Sequence, residues 1–144
     1  MSTVYTIGYE GRDPDGFVSE LAAAGVTALV DVRELPSSRR RGFSKTALAE
    51  SLRAAGIDYV HERALGNPKP FRDAWKGGDA RTGAAGYRAH LAGAPSKRLD
   101  ALAERVDADA VCLMCAERDA SDCHRSILIE ALAERSPGLE VRHL

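Results

Sequence analysis

The sequence predicts one α/β domain over residues 1–144, a three-layer sandwich in which a mainly parallel sheet of about five strands carries helices on both faces. Three observations lead to this prediction. Short apolar runs alternate along the chain with helical patterns of about ten residues, an order that favours right-handed crossovers between parallel strands. The length of 144 residues is close to the commonest size of a single domain. Hydrophobic residues make up 44% of the chain and charged residues 28%, and these values are typical of soluble globular proteins.

Five segments have the composition of β-strands. Each is a short run of mostly apolar or β-branched residues, and polar or glycine-containing turns lie at its ends. The second run is apolar enough to be buried on both faces, as strands of a parallel sheet are. The predicted strands are residues 3–8, 27–32, 57–60, 110–114 and 139–142.

Five further segments have the apolar spacing of helices. Asp13 and Ser44 are suitable N-caps for the first two helices, and Gly25 and Gly56 end them. The stretch 64–81 is rich in Gly, Pro, Lys, Arg and Asp, a composition that predicts a long irregular segment. The predicted helices are residues 14–24, 45–55, 84–91, 97–105 and 124–135.

Polar segments follow directly after the first four predicted strands. In a sheet of this kind, ligands bind beyond the carboxyl ends of the strands. These segments are also the richest in Arg, His, Cys and Glu, so we expect them to meet in one positively charged hollow at the rim of the sheet. The segments are residues 8–12, 33–45, 61–66 and 115–125.

The strongest local signal is a Cys-Ala-Glu motif followed by a Cys-His-Arg motif. The second motif opens a helix, where backbone N–H groups and the helix dipole favour an anion. Cys115 and Cys123 are therefore candidate catalytic thiols, with packing and helix capping as their alternative role. His124 is a candidate acid–base group. Arg125 is a candidate donor to a phosphate, sulfate or carboxylate.

Residues at the ends of the other strands supply candidate binding groups. Asp31 ends a buried strand, where it can orient a cation, and Arg33 beside it is the best candidate for a cation in a pocket. The glycines of segment 8–12 allow close approach to a ligand, although the segment is neither a Walker loop nor a dinucleotide fingerprint. The candidate substrate-binding residues are Gly8, Tyr9, Glu10, Arg12, Asp31, Arg33, Arg39, His61, Glu117 and Arg125.

Several short polar motifs occur together along almost the whole chain. They are residues 6–12, 30–33 with Pro36, Ser38 and Arg39, 43–45, 56–60 with 65–66, 115–117 and 123–125. In this combination the sequence resembles a bacterial and archaeal family known as domain-of-unknown-function family 488. The resemblance implies an α/β domain of undetermined activity, and it names no substrate.

Two functions from different classes are open at this point. The first is an enzyme with a Cys/His/Arg anion-binding site that acts on a small phosphate-, sulfur- or carboxylate-bearing substrate, by sulfur or phosphoryl transfer. The alternative is a module or enzyme that binds nucleic acid through the arginines of residues 39–41, with Phe43 available for base stacking. The net charge of −1 argues against strong nonspecific binding to nucleic acid.

A zinc site is the least favoured interpretation. Cys115, Cys123, His124 and His61 have side chains that bind zinc, but their spacing matches no standard zinc pattern. We therefore expect no metal and no cofactor.

The cysteines and the lack of long apolar runs indicate a cytoplasmic protein that does not bind membranes. Three cysteines, an odd number, lie between residues 112 and 123, unlike a secreted disulfide framework. No apolar run approaches the ~20 residues of a membrane span, and the first residues lack the pattern of a signal peptide. We expect Cys112 to serve only in packing. The oligomeric state does not follow from the sequence.

Overall fold

A five-stranded, entirely parallel sheet forms the centre of the protein. The computed structural model describes residues 2–118 and 124–144. The strand order is β3-β2-β4-β1-β5, and each neighbouring pair is parallel. The α/β fold with a parallel sheet, predicted from the sequence, is thereby confirmed. The strands are Thr3–Gly8 (β1), Ala28–Asp31 (β2), Asp58–His61 (β3), Val111–Cys115 (β4) and Glu140–His143 (β5).

Helices cover both faces of the sheet. Alternate strand residues point to opposite faces and join two separate hydrophobic clusters. One cluster contains the apolar faces of the first two helices, and the other contains those of the last three. None of the described helices is both long and apolar enough to cross a membrane. The helices are Pro14–Ala23 (α1), Lys45–Ala54 (α2), Lys69–Lys76 (α3), Ala80–Ala92 (α4), Ser96–Ala108 (α5) and Arg125–Arg135 (α6).

The central strand β4 lies at a change in chain direction. Its neighbours β1 and β2 lead into α1 and α2 on one face, whereas β4 itself leads towards α6 on the other face. Because the chain leaves neighbouring strands in opposite directions, a crevice opens at their carboxyl ends, which is where such sheets bind ligands. Cys115, the last residue of β4, lies at this crevice.

The prediction of a long irregular segment over 64–81 is wrong. This stretch contains the end of a 3-10 helix at Arg63–Leu65, the whole of α3, and the start of α4 at Ala80. Pro70 lies at the start of α3, where the missing N–H is tolerated. The Phe71 ring of α3 packs closely against Gly86 of α4. A Cβ atom at Gly86 would lie 2.2 Å from the Phe71 ring. Helix-to-helix packing thus overrides the loop-like composition.

Candidate functional site

A cleft of about 250 Å³ lies at the carboxyl ends of β1, β2 and β4. Its floor consists of buried side chains, and its rim consists of partly or fully exposed ones. The floor residues are Tyr9, Arg33, Asn67, Cys115 and His124. The main rim residues are Glu34, Leu35, Arg72, Trp75, Lys76 and Glu117. Arg33 and Cys115, which come from different parts of the chain, therefore line one cavity.

Arg33 is held at the floor by a buried carboxylate. Its Nε and Nη2 donate to the two oxygens of Asp31 at 2.9 and 2.7 Å, and its Nη1 donates to the Phe43 carbonyl at 2.8 Å. Tyr59 donates its hydroxyl to the same carboxylate at 2.5 Å. Burial alone lowers the pKa of Arg33, but the hydrogen bonds and charges of Asp31 and Tyr9 together more than offset this, so the pKa is raised. Asp31 thus orients Arg33, as the sequence indicated.

Two aromatic rings support this guanidinium group. The ring of Tyr9 stacks on Phe43 with centroids 4.8 Å apart, and the guanidinium carbon of Arg33 lies 5.4 Å from the centroid of the Tyr9 ring. A cation over an aromatic face is attracted by the ring quadrupole. Phe43 is 1% exposed, so the prediction that it is available for base stacking is wrong. It belongs to the core beneath Tyr9.

The Cys115 thiol lies beside a carboxylate. Cys115 Sγ donates to Glu117 Oε2 at 3.4 Å, and both residues line the cleft. The backbone N–H groups of Tyr9 and Glu10 continue the pairing of β1 with β4 by donating to the carbonyls of Cys115 and Ala116. Cys115 is 1% exposed and Cys112 is 0% exposed, but Cys112 does not line the cleft, and burial raises the pKa of its thiol.

Gly8 allows this close contact between the two strand ends. A Cβ atom at Gly8 would lie 1.7 Å from the carbonyl oxygen of Glu117. Any other residue would push the loop after β4 away from β1. Gly8 therefore contributes by letting the thiol-bearing loop approach, rather than by approaching a ligand itself.

His124 lies just before α6 and closes one side of the floor. Its Nε2 donates to the Val32 carbonyl at 2.8 Å, and its ring packs edge-on against Tyr87 at 5.1 Å. Because Nε2 carries the proton in this bond, Nδ1 of the neutral ring holds the lone pair. A neutral His124 can therefore accept a proton at Nδ1.

Two predicted binding arginines are not among the cleft-lining residues and have structural roles instead. Arg125 is 1% exposed, and its Nη2 donates to the carbonyls of Glu117 and Arg118 at 2.6 and 3.3 Å. Arg12 donates to the carbonyls of Gly8 and Leu144 and pairs with Glu20. Arg125 thus holds the loop after Cys115, and Arg12 ties the end of β1 to the C-terminal residue.

Other predicted site residues also lie away from the cleft. His61 donates from Nε2 to the Arg33 carbonyl at 2.7 Å and lines a neighbouring pocket. Glu10 and Arg39 are exposed and are not among the lining residues. Cys123 lies outside the described residues. The structure brings together Tyr9, Arg33, Cys115, Glu117 and His124 from the sequence-based set.

The residues at the start of α3 and along it were not found by sequence reasoning. Asn67 lies at the floor, and Arg72, Trp75 and Lys76 lie at the rim. Arg72 pairs with Glu34, another rim residue, at 2.7 Å. The available signal was the spacing of Phe71 and Trp75, four residues apart as on one face of a helix.

Metal ligation has no support in the described part of the chain. Within residues 2–118 and 124–144, no three His, Cys, Asp or Glu side chains are grouped so that they could hold a metal ion. His61 and His124 each donate from Nε2 to a backbone carbonyl after β2 and line different pockets.

The family model described as Domain of unknown function DUF488 matches residues 13–132. The chain belongs to this family. The match includes every cleft residue named above except Tyr9, and it confirms the resemblance drawn from the sequence motifs. No curated protein and no solved structure matches the chain.

Proposed function

We propose that this protein is an enzyme in which the Cys115 thiol reacts with a small anionic substrate bound in the cleft. One observation carries the proposal: Cys115, its carboxylate partner Glu117 and the imidazole of His124 line the same cleft as the cation Arg33. A nucleophile, a proton acceptor and a cation at the switch point of a parallel sheet are the components of a group-transfer site.

The cleft is lined by three cations, Arg33, Arg72 and Lys76, and by two carboxylates, Glu34 and Glu117, which leaves an excess of one positive charge. The guanidinium of Arg33 is bound to Asp31, to the Phe43 carbonyl and to Tyr9. Arg72 is paired with Glu34. Among the described residues, no carboxylate lies within ion-pair distance of Lys76. The ammonium group of Lys76 is thus available to a ligand.

The proposed reaction is a displacement at sulfur or phosphorus. Glu117 takes the proton of the Cys115 thiol, the thiolate forms a bond to the electrophilic atom, and the bond from that atom to the leaving group breaks. The proton then passes from Glu117 to the leaving group. Water then attacks the phosphorus of a phosphoryl intermediate, or a thiol or cyanide attacks the outer sulfur of a persulfide intermediate, and in each case the Cys115 thiolate leaves. His124 Nδ1 can take the proton of the attacking water or thiol.

Alkylation of Cys115 by two reagents that differ in charge tests the proposal. Iodoacetate is an anion and iodoacetamide is neutral, and with each the thiolate forms a C–S bond as iodide leaves. We expect the iodoacetate-to-iodoacetamide rate ratio at Cys115 to exceed the ratio for glutathione by about threefold or more, because the cleft concentrates anions. Fragment-ion mass spectra of the peptide that holds both thiols distinguish Cys115 from Cys112, which does not line the cleft and serves as the internal control. A ratio equal to or below that of glutathione would contradict the proposal.

Turnover supplies the second arm of the test. Thiosulfate with cyanide as acceptor probes sulfur transfer, and p-nitrophenyl phosphate probes phosphoryl transfer. Any turnover should be lost in Cys115→Ser and kept in Cys112→Ser. Turnover that survives in Cys115→Ser would show that this thiol is not the nucleophile.

A further inference from the structure

The floor of the cleft contains a polar side chain whose hydrogen-bonding capacity is not used. Asn67 is 4% exposed, and its side-chain oxygen has no hydrogen-bond partner among the described residues. A buried carbonyl group without a partner destabilises the folded protein. A group of this kind in a cleft lining is explained when a ligand completes its hydrogen bonds.

The backbone around Asn67 is held firmly in place. A Cβ atom at Gly66 would lie 2.3 Å from the backbone nitrogen of Glu34, so this glycine packs directly on the chain that follows Arg33. The Arg72 guanidinium donates to the backbone carbonyl of Asn67 at 2.9 Å and also pairs with the Glu34 carboxylate. The Asn67 side chain, whose oxygen is unpaired, is therefore part of a fixed floor rather than of a surface loop.

The part of the rim that α3 supplies, Arg72, Trp75 and Lys76, forms a wall beside Asn67. This α3 wall contains a flat aromatic ring and a cation. Trp75 is partly buried and lines the cleft, and Lys76 lies next to it in the chain. An indole ring can stack on any of the nucleobases, because every base has a flat π face. A carboxamide pairs with a base edge that offers a donor beside an acceptor, as asparagine does with adenine. An ammonium group binds phosphate as a point charge.

We propose that the cleft binds a nucleoside monophosphate, with the base against Trp75, its edge on the Asn67 carboxamide, and the phosphate at Lys76. The proposal rests on the proposed function in one respect, that this cleft is the substrate site. It adds the class of substrate and assigns Asn67 as a specificity-determining residue.

Fluorescence titration provides the test, because Trp75 is the only tryptophan in the chain. The probes are AMP, GMP, CMP, UMP and, as a phosphate without a base, ribose 5-phosphate. We expect at least one nucleotide to change the emission saturably, with a Kd at least about tenfold below that of ribose 5-phosphate. Failure of all four nucleotides to bind, or binding no tighter than that of ribose 5-phosphate, would overturn the proposal.

Substitution of Asn67 separates recognition from a structural role. Asn67→Leu keeps the number of side-chain heavy atoms and the branch at Cγ but removes both polar groups, so we expect it to raise the nucleotide Kd roughly tenfold or more while leaving the Tm unchanged or higher. Its effect on ribose 5-phosphate should be slight. If Asn67→Leu does not fold, Asn67→Ala replaces it in the same assay. Unchanged nucleotide binding in the folded variant would remove Asn67 from recognition.

The two proposals fail in different ways. If Cys115 keeps its preference for iodoacetate while no nucleotide binds, the nucleotide proposal is wrong and the enzyme proposal stands. If a nucleotide binds and protects Cys115 from iodoacetamide while the preference for iodoacetate is missing, the ligand class stands and the evidence for an anion-directed thiol is lost.

Discussion

The floor of the cleft and its α3 wall are built in opposite ways. The side chains of the floor are buried at the ends of parallel strands, and Arg33 is fixed there by a carboxylate and a carbonyl. Every residue of α3, in contrast, is at least partly exposed. The helix is attached through Phe71 packed on α4 and through Arg72 paired with Glu34. Loss of the Arg33–Asp31 pair in the floor should therefore cost the most stability, whereas loss of an exposed charge on α3 should affect ligand binding rather than stability.

The largest effect is expected at the floor, from Asp31→Ala. This change leaves the buried guanidinium of Arg33 without its carboxylate, and breaking a buried ion pair costs about 3–5 kcal/mol of unfolding free energy. Tyr59→Phe is the matched control, because it removes only one hydrogen bond to the same carboxylate and should cost about 1 kcal/mol. Urea denaturation measures both. An Asp31→Ala variant that loses less than the Tyr59→Phe variant would show that the floor does not depend on this ion pair.

The packing of α3 on α4 is tested by Gly86→Ala in α4. In an ordinary helix this change stabilises by about 0.5–1 kcal/mol. Here the added methyl group would meet the Phe71 ring, so we expect a loss of about 1–3 kcal/mol in unfolding free energy. Arg81→Ala, at an exposed position of the same helix, should change the free energy by less than about 0.5 kcal/mol. A stabilised Gly86→Ala protein would mean that α3 does not pack closely on α4.

A smaller effect is expected from alkaline pH at the floor. Burial, together with the hydrogen bond to Asp31, raises the pKa of Tyr59 above the unfolded value of 10.0. The stabilisation from the protonated hydroxyl is therefore complete below about pH 10 and is lost as the pH rises further, because the unfolded state releases the proton first. The unfolding free energy of the unmodified protein should fall more steeply between about pH 9 and about pH 11 than that of Tyr59→Phe. Parallel pH profiles for the two proteins would disagree with this account of Tyr59.

The smallest effect is expected from one charge on the wall. Lys76→Gln should slow iodoacetate at Cys115 by about two- to threefold, leave iodoacetamide unaffected, and change stability by less than about 0.5 kcal/mol. Lys69→Gln is the matched control on the same helix, since Lys69 is exposed, pairs with Asp73 and is not among the cleft-lining residues. Equal slowing by both variants would indicate a general charge effect rather than a role for Lys76 in the cleft.

The sequence was sufficient to predict every floor residue except Asn67, because the positions of strand ends follow from topology. Once the strands are recognised as parallel, their carboxyl ends meet at one edge, and this places Tyr9, Arg33, Cys115 and His124 together. His61 satisfied the same rule but lies in a neighbouring pocket. The reason is strand order, since β3 is an edge strand separated from β4 by β2.

The wall and the exact role of each arginine could not be predicted in the same way. The composition of residues 64–81 resembles a loop, and only the packing of Phe71 on Gly86 shows why α3 forms there. Asn67 became a candidate only because its burial and its unused oxygen are properties of the folded chain. Arg33 and Arg125 are the same residue type near strand or helix ends, yet one faces a carboxylate and the other faces backbone carbonyls.

The most direct test of the central claim is a crystal structure of the protein after reaction with iodoacetate. The account predicts that Cys115 carries the carboxymethyl group and that its carboxylate lies within hydrogen-bond distance of Arg33 or Lys76 inside the cleft. A carboxymethyl group on Cys115 that points into solvent, away from both cations, would contradict the claim that this cleft draws an anion to the thiol.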